Sequence, residues 1–158
     1  MEESIYIALG TNLDDRFCNL CIARESLPPN VLVINASSIY VTPPWGYEDQ
    51  PDFYNQVLEV QTALEPFPLL GYLKTIERQM GRQKTFRYGP RLIDLDILFY
   101  GKGVINTKEL QIPHPHLQDR AFVLVPLNEI APGFIHPVLG KSVADLLKVI
   151  DTGGVRLL

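Results

Sequence analysis

Two hydrophobic periodicities, one typical of strands and one typical of helices, alternate along the first hundred residues of the chain. Short runs of alternating or β-branched apolar residues predict strands over 4–10, 31–42, 53–62 and 92–100. Apolar residues spaced three or four apart predict a helix that starts within 12–15 and ends near Leu27, and a second over 65–80. The order β-α-β-β-α-β is that of the ferredoxin-like fold. The pattern therefore predicts an α+β core with an antiparallel sheet and helices on one face.

The sequence of the last third of the chain predicts further secondary-structure elements outside this core. Residues 104–112 predict a further strand or hairpin, 119–130 a helix despite Pro126, and 142–150 a short C-terminal helix. The chain has 158 residues and shows no repeat, linker or low-complexity segment. We therefore expect one domain over 1–158, large enough to bury a core without disulfides or metals as supports.

The strand predicted over 92–100 carries two acids in an apolar setting. Asp94 and Asp96 are two residues apart, so they share a face of the strand, roughly 7 Å apart at the backbone. Their neighbours Ile93, Leu95 and Ile97 point the other way, into the predicted core. Taken alone, such a pair is more often a solvent-facing edge than a metal site. Adjacent carboxylates are costly in apolar surroundings unless a cation lies between them.

Basic residues are concentrated directly upstream of this acidic pair. Residues 74–91 have a local charge of +5, although the whole chain has a net charge of −4. Gly89 and Pro90 place the end of this stretch in a loop. A basic loop alone is usually a solvated surface. The stretch contains one acid, Glu77, and six bases: Lys74, Arg78, Arg82, Lys84, Arg87 and Arg91.

The acids and the bases together predict a binding site for a metal–polyphosphate such as Mg-ATP. Small hard cations take one or two protein carboxylates and complete their coordination with substrate phosphates. The acidic remainder of the chain argues against a general nucleic-acid binder. The glycine-rich loops of the common nucleotide-binding folds and the protein-kinase loops are missing, so side chains and metal would have to hold the nucleotide.

Other classes of protein are not favoured by the sequence. No apolar run is long enough to span a membrane and no secretion leader is visible, so we expect a cytoplasmic protein without membrane contacts. Cys18 and Cys21 form a C-x-x-C inside the first predicted helix, where two mostly buried structural residues are expected rather than a redox pair. His114 and His116 lack the neighbouring ligands of a zinc site.

Several motifs resemble those of the 6-hydroxymethyl-7,8-dihydropterin pyrophosphokinase family. The strongest is G-P-R-L-I-D-L-D-I-L-F-Y-G at 89–101. The similarity continues over nearly the whole chain, with matching order and spacing. The other motifs are I-A-L-G-T-N-L at 7–13, T-P-P-W-G at 42–46, Q-P-D-F-Y-N-Q-V at 50–57, E-R-Q-M-G-R at 77–82 and I-P-H-P-H-L-Q-D-R-A-F-V-L-V-P-L at 112–127.

This resemblance implies an enzyme of folate biosynthesis. It would move the terminal pyrophosphate of ATP to the hydroxymethyl group of the pterin and release AMP. The family uses two Mg²⁺ ions, and Asp94 and Asp96 match their ligands. Arg82 and Arg91 match the arginines that hold the phosphates during transfer.

The resemblance also assigns residues to the two substrates. Phe53 and Phe122 match the aromatic pair that encloses the pterin ring, and Asn55 matches the residue that bonds its edge. Thr42, Pro43 and Trp45 would belong to the same pocket. The nucleotide-side positions are Glu77, Lys84, Arg87, Tyr88, Arg91, Ile97, His114 and Arg120.

Four positions depart from the family pattern, and they leave other interpretations open. Lys84 replaces a common arginine, Tyr88 a tryptophan, Pro115 an aromatic residue and Phe53 a tyrosine. A non-catalytic nucleotide- or pterin-binding module and a metal-dependent phosphohydrolase are the alternatives. The predicted partners are the two small substrates and no nucleic acid, and the chain is expected to be a monomer.

Overall fold

The computed structural model of the chain describes residues 3–82 and 86–158. In chain order, the strands and helices of the core are β1 (Ile5–Thr11), α1 (Arg16–Glu25), β2 (Val31–Ala36), β3 (Tyr40–Thr42), β4 (Phe53–Thr62), α2 (Pro66–Gln79) and β5 (Asp94–Tyr100). They are followed by β6 (Ile105–Asn106), β7 (Gln111–Ile112), α3 (Ala121–Ile130), α4 (Val143–Lys148) and β8 (Arg156–Leu157). A single 3-10 turn at Leu117–Asp119 precedes α3.

The main sheet has the strand order β5-β1-β4-β3-β8, and β2 also pairs with β4. All of these pairs are antiparallel. Strand β4 is ten residues long, so its first half can pair with β3 and its second half with β2. The predicted ferredoxin-like α+β arrangement is confirmed. Strands β6 and β7 form the predicted hairpin.

The sheet is covered on both faces. Helices α1 and α2 bury Leu20, Leu69 and Leu73 against Ile7 and Leu95 on one face. On the other face α3 and α4 form a second apolar cluster, made by Val57, Leu98, Phe99, Leu124, Leu127 and Val143. The prediction of helices on one face holds for the ferredoxin-like core, and the C-terminal helices add a third layer.

The predicted strand over 31–42 is divided by three residues that belong to no strand. Ser37 is the reason, because its side chain is buried and competes for strand hydrogen bonds. The N–H of Val57 donates to Ser37 Oγ at 3.0 Å, and the N–H of Ser37 donates to the carbonyl of Val57 at 2.9 Å. The chain therefore turns here from β2 into β3, while both strands remain paired with β4.

The prediction that the two cysteines are mostly buried is wrong. Cys18 is exposed and Cys21 is half-exposed. Helix α1 instead turns Asn19, Leu20 and Ala23 towards the core. Three or four residues separate members of one helical face, so the cysteines lie beside this face rather than on it.

His136 is a buried histidine that stabilises a turn near the C-terminus. Its Nδ1 accepts the N–H groups of Val138 and Leu139 at 3.1 and 3.0 Å, and burial lowers its pKa. Because the folded pKa lies below the unfolded one, the unfolded chain takes up the proton first as the pH falls. The stability from neutral His136 is therefore present above about pH 6.5 and lost below it.

We expect the difference in free energy of unfolding between the protein and His136→Asn to shrink as the pH is lowered. Urea unfolding at pH 8 and at pH 5.5 measures this difference. A difference of the same size at both pH values would contradict the assigned protonation state. Taking a difference between two proteins removes the contribution of the other titrating groups.

Within residues 3–82 and 86–158, no helix is both long enough and apolar enough to cross a membrane.

Candidate active site

A cavity of about 290 Å³ opens on the sheet face that carries α3. Its floor lies where β1, β4 and β5 run side by side. Gly10 pairs with Asn55 on one side and with Asp94 on the other, and Ala8 pairs with Asp96. The predicted pterin residue Asn55 and the predicted metal ligands Asp94 and Asp96 thus lie on the two strands that flank β1, so only one strand separates the two ends of the site.

Gly10 keeps this floor open. A Cβ atom at position 10 would lie 2.9 Å from Asn55 Oδ1, closer than real side chains approach. The sequence contained Gly10 within a motif, but its pattern gave the residue no role. The fold explains why a side chain is missing here, because it places the side chain of Asn55 from β4 next to position 10.

The acidic pair lies on the cavity side of β5, as predicted. Asp94 and Asp96 both line the cavity, whereas Ile93 and Leu95 are fully buried on the opposite face. Burial, followed by the charge of Asp96, raises the pKa of Asp94 to about 6. Two arginines oppose this rise: Arg82 Nη2 lies 2.9 Å and Arg91 Nε 4.0 Å from Asp94 Oδ1. The corner therefore favours additional positive charge.

Glu77 lies behind this corner rather than in the cavity. Its side chain is only 3% exposed, and its carboxylate accepts the N–H of Leu95 at 2.7 Å and pairs with Arg82 Nη1 at 2.7 Å. Lys74 Nζ is 3.4 Å from Glu77 Oε1, so Glu77 also has an ion-pair partner within its own helix. Glu77 therefore fixes the guanidinium whose other nitrogen contacts Asp94. The charge of Glu77 was visible in the sequence, but its contact with the β5 backbone was not.

The remaining residues predicted on the nucleotide side divide into three groups. Ile97 is buried among the residues facing α1 and α2, so its side chain points away from the cavity. Lys84 lies outside the residues that the structure describes. The other residues line the cavity, and they are Arg87, Tyr88, Arg91, His114 and Arg120.

His114 lies on the cavity wall near the acidic pair. Burial lowers its pKa, although the charge of Asp96 acts in the opposite direction. A neutral imidazole at neutral pH can accept or donate a hydrogen bond without adding charge to the site. Its Nδ1 accepts the N–H of His116 at 3.3 Å, which leaves Nε2 as the nitrogen for an external partner.

The residues predicted to bind the pterin meet at the other end of the same cavity. Thr42, Pro43, Trp45, Phe53, Asn55 and Phe122 all line it. Asn55 and Thr42 are buried and joined by a hydrogen bond of 2.6 Å, which fixes the Asn55 amide. Trp45 contacts Phe122 at a ring-centroid distance of 6.3 Å. This end combines aromatic surfaces with a fixed amide, a combination suited to a planar heterocycle.

The loop that contains Tyr47 and the loop that contains Tyr88 form the rim of the cavity, and Gln50 connects them by hydrogen bonds. Gln50 Nε2 donates to the carbonyls of Tyr47 and Tyr88, both at 2.6 Å. The buried Asn12 donates to Gln50 Oε1 at 2.8 Å and accepts the N–H of Arg91 at 2.8 Å. Asn12 and Gln50 belong to motifs seen in the sequence, but only the fold shows that they connect the two loops.

The acidic pair fits a magnesium ion better than a transition metal. Among the described residues, no group of three or more His, Cys, Asp or Glu could hold a metal ion together. Mg²⁺ needs fewer protein ligands, because waters and substrate phosphates complete its octahedron. Asp94 and Asp96 could supply the oxygen ligands, and burial followed by the charge of Asp96 raises the pKa of Asp94 despite the two nearby arginines.

Comparisons with known proteins agree with these motifs. The family model described as 7,8-dihydro-6-hydroxymethylpterin-pyrophosphokinase matches residues 6–132. A 2-amino-4-hydroxy-6-hydroxymethyldihydropteridine pyrophosphokinase of Aquifex aeolicus is 41% identical over 142 residues, covering 90% of this chain and 89% of the relative. The protein of the same name from Bacillus subtilis is 45% identical over 132 residues, covering 82% of this chain and 79% of the relative.

Other relatives are much longer. The folic acid synthesis protein FOL1 of Dictyostelium discoideum is 45% identical over 150 residues, but these cover 95% of this chain and only 23% of that protein. A solved Plasmodium falciparum HPPK-DHPS structure has a TM-score of 0.76 at 19% identity and covers 94% of this chain and 44% of its own. This structural similarity supports the fold. The family match and the relatives show that the chain belongs to the 7,8-dihydro-6-hydroxymethylpterin-pyrophosphokinase family.

Proposed function

We propose that this chain transfers pyrophosphate from ATP to the hydroxymethyl group of 6-hydroxymethyl-7,8-dihydropterin and releases AMP. The main support is that one cavity holds two different sets of residues. Asp94 and Asp96 lie with arginines at one end, and Asn55 lies with aromatic residues at the other. The cavity is therefore suited to a polyphosphate and a planar heterocycle placed side by side.

The chain would hold the phosphates in two ways, through metal ions on its acidic pair and through its arginines. Asp94 and Asp96 would hold two Mg²⁺ ions, which when bound neutralise phosphate oxygens and orient the reacting groups. Arg82 and Arg91 approach the same corner, and a planar guanidinium can donate two parallel hydrogen bonds to a phosphate. Arg87 and Arg120 extend this positive wall. We also assign Lys84 to the nucleotide, as the family motif implies.

The pterin would occupy the aromatic end of the cavity. Phe53 and Phe122 offer ring faces, and Asn55 offers an amide that can both donate and accept hydrogen bonds. Thr42 orients this amide, while Pro43 and Trp45 cover the pocket from the rim. With both substrates fixed, the hydroxymethyl oxygen would lie next to the polyphosphate, and positioning supplies much of the rate enhancement for such a transfer.

Phosphorus NMR tests this proposal directly. Protein incubated with ATP, magnesium and 6-hydroxymethyl-7,8-dihydropterin should give AMP together with a pterin diphosphate. Formation of ADP would indicate single phosphoryl transfer, and phosphate release without an acceptor would indicate a hydrolase. Binding of both substrates without any product would identify a non-catalytic module.

Removal of magnesium should stop the reaction without unfolding the protein. Chelation with EDTA is expected to abolish AMP formation, because the phosphate charges then lack their main counterions. The thermal unfolding temperature should change little, since the core is held by apolar packing and the proposed metal ligands line the cavity. Added Mg²⁺ should restore product formation. Full activity in EDTA would contradict the assigned role of Asp94 and Asp96.

We further propose that the chain acts as a cytoplasmic monomer on its two small substrates.

A further inference from the structure

Strand β8 adds an edge to the main sheet next to the pterin end of the site. It pairs with β3 through Tyr40 with Leu157 and Val41 with Arg156, and the N–H of Leu158 donates to the carbonyl of Ile39 at 3.0 Å. The family match covers residues 6–132, so this strand lies beyond the part of the chain that the match describes. Its sequence gave no strand signal, and its position results from pairing alone.

The segment that enters β8 contacts the start of the 43–52 loop. Gly154 has a φ angle of +87°, and a Cβ atom there would lie 3.2 Å and 3.3 Å from two ring carbons of Pro43. The backbone at Gly154 therefore lies directly against Pro43, a residue of the cavity wall. A side chain at position 154 would press on the first residue of the loop.

Strand β8 also contacts the end of the same loop. Arg156 Nη2 lies 3.5 Å from Asp52 Oδ2, and Asp52 is followed directly by Phe53 of the cavity wall. The carbonyl of Asp52 accepts a hydrogen bond of 2.8 Å from Arg16 at the start of α1. The two arginines thus hold Asp52 through different atoms. Residues 154–156 therefore contact both ends of the loop that carries Trp45.

We propose that residues 152–158, the C-terminal segment, position the 43–52 loop for the heterocyclic substrate. Trp45 and its neighbours 46–49 are exposed, so the conformation of the loop depends strongly on how its two ends are held. Contacts at Pro43 and Asp52 fix these ends relative to β3 and β4. None of residues 152–158 lines the cavity, so the segment acts through the loop residues that do. The role in substrate binding rests on the proposed function.

Two glycine variants provide a matched test. Gly154→Val and Gly140→Val both place a β-branched residue at positive φ, +87° and +69° respectively, and should carry similar backbone strain. A Cβ atom at Gly140 has no neighbour within 4 Å, whereas one at Gly154 meets Pro43. Only the variant at 154 should therefore disturb the loop. Circular dichroism confirms that both variants are folded before they are compared.

The chain's single tryptophan, Trp45, reports on the loop without requiring activity. In the protein without substrates, acrylamide should quench its fluorescence faster in Gly154→Val than in Gly140→Val. With substrates, Gly154→Val should raise the KM for the pterin roughly tenfold and leave the KM for ATP within about twofold. Equal quenching in the two variants, or equal changes in both KM values, would overturn the proposal.

Arg156→Ala tests the second contact with a milder change. Its ion pair with Asp52 is solvent-exposed, so we expect only about a twofold rise in the KM for the pterin, which high salt should reduce. Lys148→Ala removes another exposed pair, with Asp145, and is the control. If the protein makes no AMP, the proposed reaction fails. The quenching comparison then still decides whether the C-terminal segment positions the loop.

Discussion

Replacing Asp96 with alanine is expected to lower turnover by roughly 10³-fold or more, because it removes one of two carboxylates proposed to hold the metal ions. The folded protein should be as stable as before or more stable. Asp96 raises the pKa of Asp94, so the two carboxylates repel each other in the folded state. Its removal relieves this repulsion and leaves the pair between Arg82 and Asp94 in place.

Turnover and thermal unfolding of Asp96→Ala should be measured on the same preparation. Asp145→Ala is the matched control, since it removes an exposed carboxylate on α4, far along the chain from the proposed metal ligands. It should retain full turnover. A marked loss of stability in Asp96→Ala with activity retained would identify the acidic pair as a structural feature of β5 and remove the central support for the proposed reaction.

Replacing Glu77 with alanine should cause the second-largest effect, this time on stability. Leaving a buried donor without its acceptor costs about 1–3 kcal/mol, and Arg82 keeps a second carboxylate partner in Asp94. Here the N–H of Leu95 would lose its acceptor, and Arg82 would lose the carboxylate that fixes its position. Turnover should fall as well, since Asp94 alone would then hold the Arg82 guanidinium.

Urea unfolding of Glu77→Ala, Glu77→Gln and the exposed control Glu109→Ala measures this effect. Glutamine keeps an acceptor for Leu95 but removes the charge that orients Arg82. We therefore expect Glu77→Gln to lose less stability than Glu77→Ala and still to turn over substrate slowly. If all three variants unfold at the same urea concentration, the buried position of Glu77 has no energetic consequence and its assigned role is wrong.

The buried carboxylate of Glu77 also explains how the fold prepares the end of the cavity that we propose binds phosphate. Glu77 lies in the last turns of α2, whereas Leu95 lies in β5 between the two acids. One side chain thus fixes the helix, the strand and Arg82 relative to one another. A preorganised guanidinium needs little rearrangement when a phosphate binds. It can therefore stabilise the charge that develops on the phosphate during transfer.

Local sequence pattern predicted most of the helices and strands because their core positions repeat with a regular period. Strand β4 has the predicted bounds, and α2 differs from its predicted range by one residue at each end. The pattern failed where a single contact overrode it. Ser37 divided the strand predicted over 31–42, and β8 formed from two exposed residues because β3 offered them a free edge.

The chemical groups of the site could be read from local pattern and motifs: two acids on one face of a strand, a basic stretch before them, and aromatic and amide residues in separate motifs. Tertiary structure decided which of these residues meet. It placed Asn55, Gly10 and Asp94 across three adjacent strands, turned Ile97 into the core, and set Glu77 behind Arg82. It also brought the C-terminal segment against both ends of the 43–52 loop. The physical reason is that periodicity specifies which face a side chain occupies, whereas contacts between distant segments depend on strand pairing and packing.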